Sequence, residues 1–470
     1  MSDVYIIYSK KNRRVVKRIV DLLAEQWEVW WDRNITGDFV TAIEEELPKA
    51  KCAVVLWSNQ SRNSQNVREE VTLANQLGVK VVHVRLDDCS LPYGFLSNNT
   101  TEMKDWDGEP DHDDFQELLE RIELIVPPEI VLNSKSVGPD STRLVAPLPI
   151  IFLSVSSHET QLLPLEAVKA LRVFAAPAIL VSAYDLLDQR CPKGIVKQLE
   201  QYREQKGAVL LDSGNYESSR LGDVSWTPAL FHSTLANIPH DFAFCFDVME
   251  PAADARKAVK EVVSAVERDS AFTDRPVLPI VHARSVKGKG HDTQSFPGVI
   301  YDVAKALEPQ VIAIPERELG RGLIARARTV LNIRRKLNRL PFYQPLHILG
   351  TGNPWSLALL LAAGADSFDG LEWCRMVVDR QSDRLHHFQH FDFFSYQALV
   401  ADSPVTLASQ SSDEVDFAGK VAFHNLDYYR SFQQRIEDAV LTGGVEMLLT
   451  GLFGRDNALQ IRRELPELFS

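Results

Sequence analysis

Short apolar runs alternate with amphipathic stretches along the first ~126 residues. Val4-Tyr5-Ile6-Ile7-Tyr8 reads as a buried strand, since a brief run rich in β-branched and aromatic residues suits a strand covered on both faces. Residues 11–26 then bring Val15, Val16, Ile19, Val20, Leu22 and Leu23 together at helical spacing. Glu28–Asp32, Ala53–Trp57 and Val79–Leu86 read as further strands, with helices fitting between them. This alternation predicts a parallel sheet with helices on both faces and a site beyond the carboxyl ends of its strands.

The pattern breaks at residues 127–147. Pro127-Pro128 and the stretch Asn133 to Ser141 mix turn formers with polar residues, as a linker does. From residue 148 a second βα series runs, with strands expected to start near Ile150, Ile179, Ala208, Phe242, Val277, Val311, Leu346 and Ser367. Eight such units predict a (β/α)8 barrel; an open doubly wound sheet is the alternative. The expected organisation is therefore an α/β domain at 1–126, a linker at 127–147, a barrel at 148–394 and a helical part at 395–470 packed on the barrel.

Composition narrows the function classes. The chain of 470 residues is 45% hydrophobic and 24% charged, as ordinary globular proteins are. No apolar run approaches the roughly 20 residues that span a bilayer, so no membrane partner is expected. Met1-Ser2-Asp3-Val4-Tyr5 has no basic stretch leading into an apolar one, and a cytoplasmic location is expected. Cys52, Cys89, Cys191, Cys245 and Cys374 are scattered and read as reduced thiols without zinc-finger spacing. The net charge of −13 opposes non-specific capture of nucleic acid. A local basic run from Arg317 to Arg339 reads most simply as a solvated helix face.

Candidate chemistry lies at strand ends. Leu211-Asp212-Ser213-Gly214 and Asp366-Ser367-Phe368-Asp369 each place an aspartate where a barrel strand should finish. One barrel would bring Asp212 and Asp369 to a common mouth, and paired carboxylates are what cleavage of a glycosidic bond requires. Asp247 ends another expected strand. Three such carboxylates in one cavity repel unless a proton, a counter-charge or a ligand settles them.

Residues 3–126 resemble a TIR (Toll/interleukin-1 receptor) domain. The resemblance is carried by Tyr5-Ile6-Ile7-Tyr8-Ser9, Trp30-Trp31-Asp32, Asn34-Ile35-Thr36-Gly37-Asp38, Val54-Val55-Leu56-Trp57-Ser58 and Ser64-Gln65-Asn66-Val67-Arg68-Glu69-Glu70, in that order. It implies a flavodoxin-like fold. It also implies cleavage of the nicotinamide–ribose bond, with NAD+ as substrate and Glu70 as the catalytic carboxylate. Tyr8, Ser9, Trp31, Asp32, Gly37, Trp57 and Ser58 are the implied substrate-binding residues. Such domains act when packed together, so self-association is implied, with the loop Arg33–Thr41 governing the pocket. The family commonly has Trp where this chain has Asn66. Glu69 points about 100° away from Glu70 on a helix, so only one of them can face the site. The plainer reading of the pair is two exposed helix glutamates.

Residues 148–394 resemble the tRNA-guanine transglycosylase family. Leu211-Asp212-Ser213-Gly214, Phe246-Asp247-Val248-Met249-Glu250-Pro251, Leu346 to Pro354 and Gly364-Ala365-Asp366-Ser367-Phe368-Asp369 match its strand-end motifs in order. The resemblance implies Asp369 as nucleophile, Asp212 as general acid/base, Asp247 as reader of the base edge, and Gly350 and Gly352 in the binding loop. It implies a nucleic acid or modified nucleoside as the barrel's partner. Of the family's zinc cysteines only Cys374 remains, so no zinc is expected, and Pro315-Glu316-Arg317-Glu318 stands in place of a glycine pair. Together the two resemblances imply an NAD+-hydrolysing immune (anti-phage) effector with a ligand-sensing barrel, its product linear or cyclic ADP-ribose. The alternatives are a 7-deazaguanine-type base-exchange enzyme on DNA or RNA with the TIR unit as interaction module, and a scaffold with neither site active.

Overall fold

The computed structural model describes residues 2–24, 26–31, 43, 45–96, 98–110, 112–126, 148–158, 160–187, 190–288 and 290–469. The chain divides into two compact units, Met1–Glu129 and Ile130–Ser470. The expected linker and the loop at 33–41 lie outside the described residues.

In the first unit, β1 (Val4–Ile7), β2 (Val29–Trp30), β3 (Cys52–Trp57), β4 (Lys80–Arg85) and β5 (Thr100–Glu102) form one parallel sheet in the order β2-β1-β3-β4-β5. This is the flavodoxin-like order. Alternation along each strand splits the core in two. Val4, Ile6 and Tyr8 pack under the helices Arg13–Leu23 and Asp113–Glu123. Tyr5, Ile7 and Trp57 pack under the helix Gln65–Gln76. That helix opens where Ser64 Oγ accepts the Val67 N–H, a standard N-cap. The strand Thr100–Glu102 had no legible signal, because Thr-Thr-Glu is too short and polar to show a period. Its pairing with β4 makes it a strand.

The second unit holds β6 (Ile150–Val155), β7 (Ala178–Ser182), β8 (Ala208–Asp212), β9 (Phe242–Phe244), β10 (Val277–Leu278), β11 (Ser285–Val286), β12 (Gly290–His291), β13 (Ile312–Pro315), β14 (Leu346–Leu349) and β15 (Ser367–Gly370). Eight of them form a parallel sheet in the order β10-β9-β8-β7-β6-β15-β14-β13, while β11 and β12 make a separate hairpin. A bridge between Ile280 and Ala313 joins the two edges, so the sheet is a nearly closed barrel and not an open one. The observed starts fall within one residue of those expected. Ile150, Phe152, Leu180, Leu210, Phe242 and Phe244 fill the interior. Ile151, Leu153 and Val155 face the helices instead. The same alternation aims Ser154, Asp212 and Asp369, at the strand ends, into the mouth.

The helices Phe417–Thr442 and Val445–Glu464 belong to the same hydrophobic core. Gln433 accepts the Ile151 N–H at 2.9 Å and donates to the Pro149 carbonyl at 2.6 Å. Tyr429 donates to the Gly352 carbonyl at 2.6 Å. No helix among the described residues is long and apolar enough to cross a membrane.

The basic run is not one solvated face. Arg328 and Arg335 bond Glu464 and Glu467 at 3.0 and 2.8 Å. Arg334 is 0% exposed, donates to the Gly364 and Gln344 carbonyls and pairs with Asp366 at 2.5 Å. Asp366 in turn accepts the Leu346 N–H and the Tyr343 hydroxyl, so the pair fixes β14 against β15. Breaking one side of a buried pair leaves an uncompensated charge. Arg334→Met should therefore cost about 3–5 kcal/mol, read as a lowered denaturation midpoint of the barrel, whereas Arg328→Met should change it by less than about 1 kcal/mol.

Candidate functional site

The barrel mouth opens into a cavity of about 370 Å³ whose walls include Ser154, Asp212, Glu217, Asp247, His282 and Asp369. Asp369, near the end of β15, is held on three sides. Ser154 Oγ on the neighbouring β6 donates to Oδ2 at 2.8 Å, and the Gly350 N–H donates to Oδ1 at 2.9 Å. His347 Nε2 stands 3.2 Å from Oδ1, with its Nδ1 2.9 Å from Ser367 Oγ. Gly350 has φ +74°, the left-handed turn that aims its N–H back at the carboxylate. Gly352 has a different part: a Cβ there would lie 1.9 Å from Glu372 Oε2, so the residue is kept small by packing and does not line the cavity.

Asp212 ends β8 and accepts the Gly214 N–H at 3.0 Å. Gly214 has φ +71°, and a side chain there would meet the Tyr184 backbone at 2.5 Å. Burial first, then the charges of Glu217 and Asp247, push the Asp212 carboxyl well above the usual carboxylate range. Burial also pushes Glu217 up to about 7. Both carboxyls therefore take up a proton more readily than exposed ones do.

Asp247 behaves in the opposite way. Burial raises its carboxyl, but His282 Nε2 at 2.7 Å and the Ser213 hydroxyl at 2.9 Å outweigh that, and the net shift is downward. His282 is clamped from its other side by Glu318 at 2.9 Å, and Glu318 also accepts the Ala283 N–H at 2.9 Å. Burial disfavours its charge, yet the two carboxylates raise His282 to about 9, making it an imidazolium that donates to both. Asp247 thus lines the cavity with one acceptor position on each oxygen taken, by Ser213 and by His282. At the rim, the Arg317 guanidinium lies 4.3 Å over the Tyr216 ring. Trp373, buried, donates to the Ser154 carbonyl at 2.9 Å and leaves the cavity open.

In the first unit Glu70 is 8% exposed, and the Tyr5 hydroxyl donates to its carboxylate at 3.3 Å. Tyr5 stacks on Trp30 at 4.5 Å. Glu69 is exposed and accepts from Gln65 at 2.7 Å, so the two glutamates occupy different environments.

The family model for the TIR domain matches residues 4–119. Residues 4–119 are a TIR domain. The rest of the chain is similar to archaeal tRNA-guanine(15) transglycosylases. That of Archaeoglobus fulgidus is 23% identical over 288 residues, covering 58% of this chain and 56% of the relative. That of Methanothermobacter thermautotrophicus is 25% identical over 255 residues, covering 52% of this chain and 37% of the relative. That of Sulfolobus acidocaldarius is 20% identical over 226 residues, covering 46% and 45%. The chain spans about half the length of these relatives or less.

Within the TIR domain the sequence-derived binding residues do not all share one place. Tyr8 and Trp31 pack together at 6.0 Å on the sheet face opposite Glu70. Tyr5 and Trp30, one pleat away, are the aromatics on the Glu70 side. The shift follows from period-two alternation, which separates adjacent residues to opposite faces. Trp57 is fully buried, bonded to His83 Nδ1 at 3.0 Å, and offers a ligand no surface. Ser58 sits after β3 and donates to Asn12 at 2.7 Å, while Ser9 precedes the short turn Lys10–Asn12. Asp32 and Gly37 lie outside the described residues. In the barrel, sequence reasoning missed Glu217, His282 and Glu318. His282 follows β10 and could have been found by the strand-end rule that found Asp212. Glu217 lies on a helical turn beyond the motif and carries no periodic signal.

The clamp makes stability depend on pH with a definite sign. A histidine raised to about 9 in the fold contributes fully below its ordinary 6.5 and loses that contribution as pH climbs through 9. The unfolding free energy should fall by up to about 3 kcal/mol between pH 6.5 and 9.5. His282→Gln should be less stable at neutral pH and show a flatter alkaline limb in denaturant titrations across that range.

Proposed function

We propose that the TIR domain cleaves NAD+ at the nicotinamide–ribose bond, and that the barrel senses a nucleoside-like ligand or modified nucleic acid that governs this activity, as in an immune (anti-phage) effector. The observation that carries the reading is Glu70. It is a buried carboxylate on the helix after the third strand of a TIR domain, touched by Tyr5 with Trp30 stacked behind. When the C1′–N bond breaks, nicotinamide leaves with the bonding pair and the ribose carbon becomes cationic. The Glu70 carboxylate stabilises that cation or orients the ribose hydroxyls. Water adding to C1′ and losing a proton gives ADP-ribose; an adenine nitrogen adding instead gives the cyclic product. Domains acting in pairs would make turnover rise faster than linearly with protein concentration.

A second reading is favoured by the barrel's own geometry: base exchange on DNA or RNA, with the TIR domain as interaction module. Asp369 is held by Ser154, Gly350 and His347 beside a cavity also lined by Asp212, whose carboxyl burial pushes well above the usual range. A carboxylate attacking C1′ would expel the base, and the Asp212 proton would follow it. An incoming base would then displace the ester and give its ring N–H proton back to Asp212. The relatives' name as transglycosylases supports this chemistry, while His282 and Glu318 around Asp247 argue for a changed base.

Nicotinamide release by the full chain, with and without DNA, RNA or nucleosides, separates the readings. Glu70→Gln should abolish release, by about 10²-fold or more, with unchanged melting, whereas Glu69→Gln should retain most of it. Equal turnover in wild type and Glu70→Gln under activating conditions would remove Glu70 from catalysis. Asp369→Asn should block any covalent nucleic-acid adduct seen by denaturing electrophoresis.

A further inference from the structure

Arg317, Arg326 and Arg375 all line the barrel cavity. Two of them are firmly held. Arg326 Nη1 stands 2.8 Å from Glu316, and its Nε donates to the Gly320 carbonyl at 3.2 Å. Arg375 donates to Glu372 at 2.7 Å. Arg317 differs. Its ion pair among the described residues is with Glu318, at 3.6 Å from Nε, which is beyond hydrogen-bond reach. The Glu318 oxygens are already taken by His282 and by the Ala283 N–H, each at 2.9 Å. The Arg317 guanidinium instead rests on the Tyr216 ring, and its side chain is 42% exposed. It belongs to Pro315-Glu316-Arg317-Glu318, the segment standing in place of a glycine pair. Its charge therefore has no counterpart in that motif.

We propose that Arg317 binds the phosphate of a nucleotide at the barrel mouth, and that in doing so it uncovers Tyr216 to stack on the base. A guanidinium lying over a half-exposed ring makes a weak contact. A guanidinium on phosphate oxygens makes charge-assisted hydrogen bonds in a geometry that suits its fork. A phosphate therefore draws Arg317 off the ring. The vacated Tyr216 face suits a flat heterocycle, and such stacking tolerates any base. The nearby carboxylates do not cancel the site. Glu316 and Glu372 are paired with Arg326 and Arg375, and Glu318 is shared with the His282 imidazolium. A nucleoside without a phosphate must displace the guanidinium with nothing to hold it elsewhere. The cavity thus favours a nucleoside phosphate over a free base or nucleoside, whether that phosphate belongs to a free nucleotide or to a strand.

This inference rests on the reading that the barrel holds a nucleoside-like ligand, and the test keeps the two apart. Calorimetry on the full chain would compare the common ribonucleosides with their 5′-monophosphates. In wild type the best-bound monophosphate should bind more tightly than its nucleoside by about tenfold or more. In Arg317→Ala that preference should shrink to about threefold or less. The nucleoside itself should bind that variant at least as well as wild type, because the ring is uncovered. Arg317 is exposed, so the variant should melt with the wild type. Arg321→Ala removes an equal charge from the same loop but outside the cavity lining, and should keep the preference. A trinucleotide of the same base identifies the source. Binding tighter than the monophosphate and lost in Arg317→Ala supports a strand phosphate, and weaker binding supports a free nucleotide. Nucleosides bound with no phosphate preference overturn the role of Arg317 and leave the nucleoside reading standing. So does a preference that survives Arg317→Ala, an equal loss in Arg321→Ala, or a parallel loss of nucleoside and nucleotide affinity. Failure of wild type to bind any of these compounds overturns both.

Discussion

Burying several carboxylates around one small cavity is the constraint to which the rest of the barrel answers. Asp212, Glu217, Asp247 and Asp369 line the same cavity, and one imidazolium among them is itself shared with Glu318. Such a group cannot be fully ionised in a low-dielectric pocket. The fold settles it by giving each acid a different neighbour. Asp247 is held below the usual carboxylate range by His282 and Ser213, Asp369 is given donors, and burial holds the carboxyls of Asp212 and Glu217 above that range. Pairs of acids pushed apart in this way are able to divide nucleophilic and proton-transfer work.

That division depends on parts of the chain far from the mouth. Asp369 is placed by β15, which Arg334 and Asp366 lock to β14 at the other end of the strands. The loop after β14 supplies Gly350 to the carboxylate, and Gly352 is seated against Glu372 and Tyr429. The helix Phe417–Thr442 thus supports the loop after β14 through the Tyr429 hydroxyl. Cores are close-packed and transmit small displacements, so these supports set the geometry of the site as surely as the residues that line it.

The TIR domain uses a different device, the two faces of a parallel sheet. Glu70 approaches one face, where Tyr5 and Trp30 wait, and Tyr8 and Trp31 belong to the other. Two adjacent tryptophans in the sequence therefore have unrelated parts. One chain thus joins a TIR domain to a barrel similar to transglycosylases.

The sequence by itself determined the architecture. Apolar runs bounded by turn formers placed all eight barrel strands to within a residue, and motifs at their ends named Asp212, Asp247 and Asp369. Those features are local, so they survive in one dimension. Helical spacing likewise separated Glu69 from Glu70. Tertiary structure decided the chemical state of each acid. Whether Asp247 is free or clamped depends on His282 and Glu318, which come from the segments after β10 and β13. Whether Trp57 meets a ligand or the core depends on what the neighbouring helix covers. Glu217 became visible only when the barrel brought it to the wall of the same cavity as Asp212 and Asp369. Protonation, burial and hydrogen-bond saturation are properties of neighbours brought together across long stretches of chain, and no local pattern encodes them.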